Sequence, residues 1–204
     1  MKALLSLILG YFIGNFNTAA VVGRVKKVDL KQEGTKNLGA TNTTLVLGWK
    51  SGVTVMVFDI LKSFFSGKLA QFLFPQLRIA GMLACIGAML GHCFPVLLHF
   101  KGGKGLAAFG GLVLCCRPLF VPIMLFSALG LMFAVDCGVA FPLFVGLTFP
   151  VLVLLFHGTA AEVLTAAAAG LLLCALHIGN VKKAMADDES MHVREPLRKL
   201  LCRK

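Results

Sequence analysis

Residues 77–98 read LRIAGMLACIGAMLGHCFPVLL, and this stretch decides the fold class. Across its 22 positions the only strongly polar side chains are Arg78 near the start and His92 toward the end. A helix rises ~1.5 Å per residue, so about 20 such residues cross the hydrocarbon layer of a bilayer. In lipid each backbone N–H and C=O must be paired within its own segment, which selects a helix. The alternation of a barrel strand is missing. Similar apolar stretches occupy 3–22, 52–74, 106–116, 119–135, 139–156 and 160–178, which makes about seven spans if the loop before the short fourth completes it. The composition agrees: 58% of residues are apolar, 14% are charged and the mean hydropathy is +0.87. Soluble domains carry roughly 45–50% apolar and about 25% charged residues. The expectation is an all-α, polytopic integral membrane helix bundle forming one domain over residues 1–204. Lys2 ahead of an apolar run has a signal-peptide flavour, but Asn17-Thr18-Ala19-Ala20 is a poor cleavage site, so the first span is read as retained. With no internal repeat, an inverted-repeat transporter has little support.

The net charge is +11, and its placement is informative. Arg24, Lys26, Lys27, Lys31, Lys36 and Lys50 lie around the first connection, Lys101 and Lys104 in the third. Lys182, Lys183, Arg194, Arg198, Lys199, Arg203 and Lys204 lie in the tail. Seven spans put these segments on one side, and the positive-inside rule makes that side cytoplasmic, with the N-terminus outside and the C-terminus inside. Alternatively the cations are only topology signals that touch anionic headgroups. Nucleic acid is a poor partner, because no soluble basic domain exists to carry it. The seven cysteines form no C-x-x-C pair and mostly fall in apolar runs, where they act as small hydrophobes. The tail 180–204 has Met185, Met191, Leu197 and Leu200 at loose helical spacing, interrupted by Pro196, which suggests an interfacial segment.

Three polar clusters carry the chemistry. Gly34-Thr35-Lys36-Asn37-Leu38-Gly39-Ala40-Thr41-Asn42 precedes a helix. Its glycines permit tight turns whose N–H groups form an anion-binding concavity, and a helix N-terminus favours an anion. An ordinary Gly/Asn turn capped by Thr or Asn is the simpler alternative. The segment is not a Walker loop, because Ala40 stands where the lysine is required after Gly39. The second cluster is Gly91-His92-Cys93-Phe94-Pro95 with Phe100-Lys101-Gly102-Gly103-Lys104-Gly105. Lysine is a compact point charge suited to phosphate, although a helix stop with an interfacial lysine reads equally simply. His92 is either part of the site or a helix-end residue bonded to a carbonyl. The third cluster is His177-Ile178-Gly179-Asn180, followed by Lys182, Lys183 and Glu189. His177 and Asn180 are three apart and so share a helix face at the membrane exit, where a neutral histidine could accept a hydroxyl proton; a His-Asn cap is the alternative. Asp59 and Lys62 are spaced as an ion pair facing the bundle or lining the site. Asp136 has no evident partner. The spans beyond the second are nearly free of charge, which argues against an anion channel.

These residues carry a resemblance. The 34–42 cluster resembles the first motif of the bacterial acyl-phosphate:glycerol-3-phosphate acyltransferase family, PlsY. Gly91–Pro95 with Lys101–Gly105 resembles its second motif, and His177–Asn180 leading to Glu189 its third. Asp59-Ile60-Leu61-Lys62 is similar to the family's second span. The resemblance implies a seven-helix enzyme of the bacterial plasma membrane with its motifs at the cytoplasmic face. It implies transfer of a fatty acyl group from acyl phosphate to the 1-hydroxyl of sn-glycerol 3-phosphate, giving lysophosphatidic acid for phospholipid biosynthesis. Acyl phosphate already has a good leaving group, so no enzyme nucleophile is needed, and neither G-x-S-x-G nor H-x-x-x-x-D occurs. The task is proximity and electrostatics. Carried over residue by residue, Lys104, His177 and Asn180 are the catalytic candidates. Substrate binding falls to Thr35, Lys36, Asn37, Gly39, Thr41, Asn42, His92, Lys101, Gly102, Gly103, Lys183 and Glu189. No metal or cofactor is called for, and the partners are the two substrates and membrane lipid, with the chain a monomer. This chain has Thr35 where the family usually has Ser, Leu45 for Arg, Ala108 for Thr, Lys183 for Arg and Asp187 for Gly. The family's Tyr-Val-Ser stretch is not recognisable near Asp136-Cys137-Gly138. Leu45 opens an alternative: a divergent, inactive or repurposed paralogue that binds an anionic lipid or phosphate ligand.

Overall fold

The structure is a computed structural model that describes residues 1–194; Leu197, Leu200 and the tail's last cations lie outside the described residues, as does that part of the interfacial-segment reading. Among the described residues all regular structure is helical. The described residues form two compact units that divide between Pro118 and Leu119. The first holds α1 Lys2–Gly14, α2 Thr18–Val25, α3 Ala40–Leu47, α4 Trp49–Leu73, α5 Ala80–Cys93 and α6 Leu106–Cys116. The second holds α7 Phe120–Ala134, α8 Ala140–Leu155, α9 Ala160–Leu176 and α10 Ile178–Met185.

By length and composition, the runs Lys2–Val25 and Ala80–Leu98 can each cross a membrane, and a third follows if Ala160–Leu176 and Ile178–Met185, bent by 50°, count as one. Helices α6, α7 and α8 have 11, 15 and 16 residues, fewer than the ~20 of a full perpendicular span. Helix α4 has 25 residues but carries Lys50, Asp59, Lys62 and Lys68. The first apolar stretch is broken by asparagines. Asn15 Nδ2 donates to Tyr11 O at 2.7 Å and its Oδ1 accepts Val96 N at 2.7 Å. Asn17 then caps α2 by accepting Ala20 N at 2.9 Å.

Small residues let α1 and α5 approach backbone to backbone. A β-carbon on Gly14 would lie 2.7 Å from Ala88 Cα, and one on Gly91 2.9 Å from Asn15 N. Without a hydrophobic drive between helices in lipid, close packing of this kind holds them together. Phe12, Phe65, Phe72, Phe126 and Leu164 point outward, more than half exposed, as side chains in an apolar solvent do. In the second unit a capping box opens α9: Thr159 N donates to Glu162 Oε2 at 2.8 Å and Glu162 N to Thr159 Oγ1 at 3.4 Å.

Asp136 does have partners. Its Oδ1 accepts Val193 N at 2.9 Å and Arg194 N at 2.7 Å, while His192 Nδ1 lies 3.4 Å from Oδ2. His192 Nε2 reaches Asp187 Oδ1 at 3.3 Å, and Arg194 donates to Phe133 O and Ala134 O at the end of α7. The backbone N–H groups of Arg194 and Val193 hold Asp136 below its ordinary range, and hydrogen bonding to Asp136 raises His192. The lowered carboxylate contributes stability that is lost as pH falls through its folded value. The raised imidazole contributes stability that is present at low pH and lost as pH rises through its folded value. The latch therefore holds best between the two, in mildly acidic solution. Limited proteolysis should cut 187–194 least there and faster toward alkaline pH, and His192→Asn should flatten the alkaline rise.

Candidate functional site

The first motif folds around Asn42. This side chain is fully buried, donates from Nδ2 to Leu30 O at 2.9 Å and Glu33 O at 3.1 Å, and accepts Thr35 N on Oδ1 at 2.6 Å. Asn42 thus shapes the loop, its polar atoms committed to loop backbone. Thr43 Oγ1 donates to Gly39 O at 3.0 Å, seating the start of α3. Thr35, Lys36 and Thr41 are exposed and Asn37 half-buried, with Lys36 in the left-handed region at φ 59°. Gly39 caps α3 without a side-chain acceptor, so the first N–H groups of the helix lack an intrahelical partner. Leu45 is 66% exposed on α3.

The second motif begins where α5 ends. The chain passes through a 3₁₀ turn at Val96–Leu98 and then two left-handed residues, His99 and Phe100. It folds back so that Gly102 N donates to Cys93 O at 3.0 Å and Gly103 N to His92 O at 3.2 Å, satisfying the last carbonyls of α5. Lys101 is exposed, Lys104 half-buried, and Gly105 caps α6 with φ 79°. Gly103 is the contact point: a β-carbon there would collide with His92 Nε2 and lie 2.8 Å from Leu38 O. The first two motifs therefore meet over the ring of His92.

Beneath that ring lies the ion pair expected from the sequence. Lys62 Nζ donates to Asp59 Oδ1 at 2.7 Å, both groups buried. It also donates to Phe16 O at 2.9 Å and stands 2.9 Å from His92 Nδ1. Thr18 Oγ1 donates to Asp59 Oδ1 at 3.3 Å. The sequence left His92 with a carbonyl partner or a place in the site. Its partner for Nδ1 is Lys62, which spacing along the chain could not reveal because His92 lies 30 residues from it.

The third motif belongs to the second unit. His177 is buried at the joint of α9 and α10, its Nδ1 2.9 Å from Leu173 O. A carbonyl can only accept, so Nδ1 carries a proton, and in the neutral ring Nε2 is the acceptor nitrogen. The expected shared helix face is interrupted by the 50° bend, leaving His177 as the cap of α9 and Asn180 in the first turn of α10. Asn180 is half-buried; Lys183 is exposed, 3.9 Å from Asp188, and Glu189 is exposed.

The comparisons follow this architecture. The family described as glycerol-3-phosphate acyltransferase matches residues 4–187. A "Glycerol-3-phosphate acyltransferase" of Bacillus velezensis is 40% identical over 125 residues, 61% of this chain and 64% of that protein. The Bacillus subtilis protein of the same name is 40% identical over 58% of this chain and 61% of its own. These two alignments span less than two thirds of the relatives' length. The Desulfotalea psychrophila protein of that name is 33% identical over 89% of this chain and 94% of its own. Among solved structures, the glycerol 3-phosphate form of PlsY, an integral membrane glycerol 3-phosphate acyltransferase, matches with a TM-score of 0.86 at 27% identity. That match covers 97% of this chain and 98% of that one. The lysophosphatidic acid form matches at 0.82 over 92% of this chain and 93% of that one, again at 27% identity. With the family pattern running almost from end to end of the helical core, this chain belongs to the glycerol-3-phosphate acyltransferase family.

Proposed function

We propose that this membrane protein transfers a fatty acyl group from acyl phosphate to the 1-hydroxyl of sn-glycerol 3-phosphate, releasing phosphate and lysophosphatidic acid. The observation that carries the reading is the meeting of the 34–42 loop with the 101–105 loop over His92. The first N–H groups of α3 and α6, which lack an intrahelical partner, form with Thr35, Thr41, Lys101 and Lys104 a surface for phosphate oxygens. Lys36, Asn37, Gly39, Gly102 and Gly103 belong to that surface, and Asn42 acts through the loop it shapes. Lys104 pairs with phosphate charge. His177, with its Nε2 lone pair, takes the proton of the attacking hydroxyl, and Asn180 orients it; Lys183 and Glu189 flank them. The carbonyl is attacked directly, the acyl–oxygen bond to phosphate breaks, and phosphate leaves with the electron pair. The PlsY forms with glycerol 3-phosphate and with lysophosphatidic acid match the acceptor and product of this scheme.

In this reading the chain is one functional domain of seven spans, a monomer in the bacterial plasma membrane with its N-terminus outside, its motifs cytoplasmic and no metal or cofactor. Purified protein given acyl phosphate and labelled glycerol 3-phosphate should yield labelled lysophosphatidic acid; no product with either of two acyl-chain lengths would sink the assignment. Leu45, apolar and exposed on α3, favours a second reading, a paralogue that binds a phosphate ligand without turnover. Exposure leaves room for a longer side chain, so Leu45→Arg should fold normally. On the acyltransferase reading it should lower the KM for glycerol 3-phosphate several-fold with little change in kcat. Turnover that appears only in Leu45→Arg would select the paralogue.

A further inference from the structure

Three acceptors surround Lys62 Nζ: Asp59 Oδ1 at 2.7 Å, Phe16 O at 2.9 Å and His92 Nδ1 at 2.9 Å. An ammonium has three protons and no lone pair. The carboxylate and the carbonyl can only accept, so the third proton is directed at His92, and Nδ1 must accept it. That fixes the ring as the neutral Nε2–H tautomer. Nε2 lies under Gly103, where only a residue without a β-carbon fits, next to the Leu38 carbonyl of the first motif. The geometry points to Asp59 and Lys62 as positioning residues for His92: they hold its Nε2–H as a donor aimed at the seam of the two loops, where a phosphate oxygen of the substrate binds. This rests on the acyltransferase reading for the identity of the phosphate, but the tautomer lock is a property of the resting protein.

The groups facing His92 decide what happens when the lock is removed. Helix α4 supplies Asp59 and Lys62, α2 supplies Thr18 to Asp59, the ring's own helix supplies Cys93, and the loops supply the Gly103 backbone and Leu38 O. In Lys62→Met the nearest partner of Nδ1 becomes Asp59 Oδ1, 3.6 Å away in the present structure. Asp59 then draws a proton onto Nδ1. At low pH the imidazolium still offers Nε2–H. As pH rises and one proton leaves, the carboxylate keeps Nδ1–H and Nε2 turns a lone pair toward the phosphate. Lys62→Met should therefore lose about 10²-fold in kcat/KM at alkaline pH, the cost of one missing donor, and regain most of it in acid. The wild type should show no such limb.

The direct measurement is ¹⁵N NMR of histidine-labelled, detergent-purified protein, with His92 assigned by its loss in His92→Gln. The expected spectrum has a protonated Nε2 and a bare Nδ1 in the wild type, reversed in Lys62→Met at alkaline pH. A wild-type ring protonated on Nδ1 overturns the proposal. So does a Lys62→Met pH profile parallel to that of the wild type. His92→Gln supplies the second control, because its amide offers N–H at the Nε2 position whatever Lys62 does. Adding Lys62→Met to it should cost less than about threefold, with no pH limb, whereas an undiminished loss would mean the pair merely supports the fold. Asp59→Asn/Lys62→Met, which buries no lone charge, covers the case in which the single variant does not fold. It should show mixed tautomers, and a spectrum still locked on Nε2 counts against the assignment. The spectrum reads the lock with or without turnover, so an inactive wild type would count against acyl transfer alone.

Discussion

Lys104→Ala should reduce lysophosphatidic acid formation by about 10³-fold, near the upper range for removing one charge-stabilising donor, with helical content unchanged. Lys104 sits between Gly103, whose backbone covers His92, and Gly105, which caps α6 in a left-handed conformation. Its backbone is thus fixed on both sides while its side chain stays half-buried, so the ammonium loses little freedom on meeting an anion. In the proposed reaction both substrates bring a phosphate, and the leaving phosphate would gain charge as the acyl bond breaks. Lys104→Arg should recover part of the rate, because the charge returns but the planar fork does not reproduce a compact point charge. The measurement is radiolabelled product from glycerol 3-phosphate, and full activity in Lys104→Ala would remove the residue from the chemistry.

Gly103→Ala is the second large effect. Its β-carbon would strike His92 Nε2 and crowd Leu38 O, so the two loops cannot keep their contact. Overfilling a packed site costs about 1–3 kcal/mol, and here the strain falls on the seam where phosphate is proposed to bind. Activity should fall about 10²-fold or more, since misplacement by about 1 Å costs that much, while the melting temperature drops only a few degrees. Gly110→Ala is the control: the nearest atom to its β-carbon would be Ile60 Cγ1 at 3.8 Å, an ordinary contact. Equal losses in the two variants would show that position 103 matters only as helix-proximal packing.

Much of this was legible in the sequence because it is written in local pattern. Long apolar runs announced helices in lipid, and the i, i+3 spacing of Asp59 and Lys62 announced their ion pair, found at 2.7 Å. Non-local effects were hidden. The break after α1 depends on Asn15 bridging to Val96, and the bend at His177 separates two residues that an uninterrupted helix would have placed on one face. The first motif's composition suggested that Asn42 met a ligand, yet its amide and carbonyl are spent on loop backbone. Asp136 had no visible partner because its partners are backbone N–H groups near the other end of its unit, and backbone leaves no trace in residue identity.

The three acceptors around Lys62 bear on how such a protein would survive the proposed acyl donor. Mixed anhydrides of phosphoric acid acylate unhindered amines without any enzyme. Held as an ammonium by three acceptors, Lys62 has no electron pair to attack with, so it should stay unmodified by the proposed donor even though it lies beneath the seam proposed to bind phosphate. The same grip that orients His92 would thus spare the protein from self-inflicted amide formation.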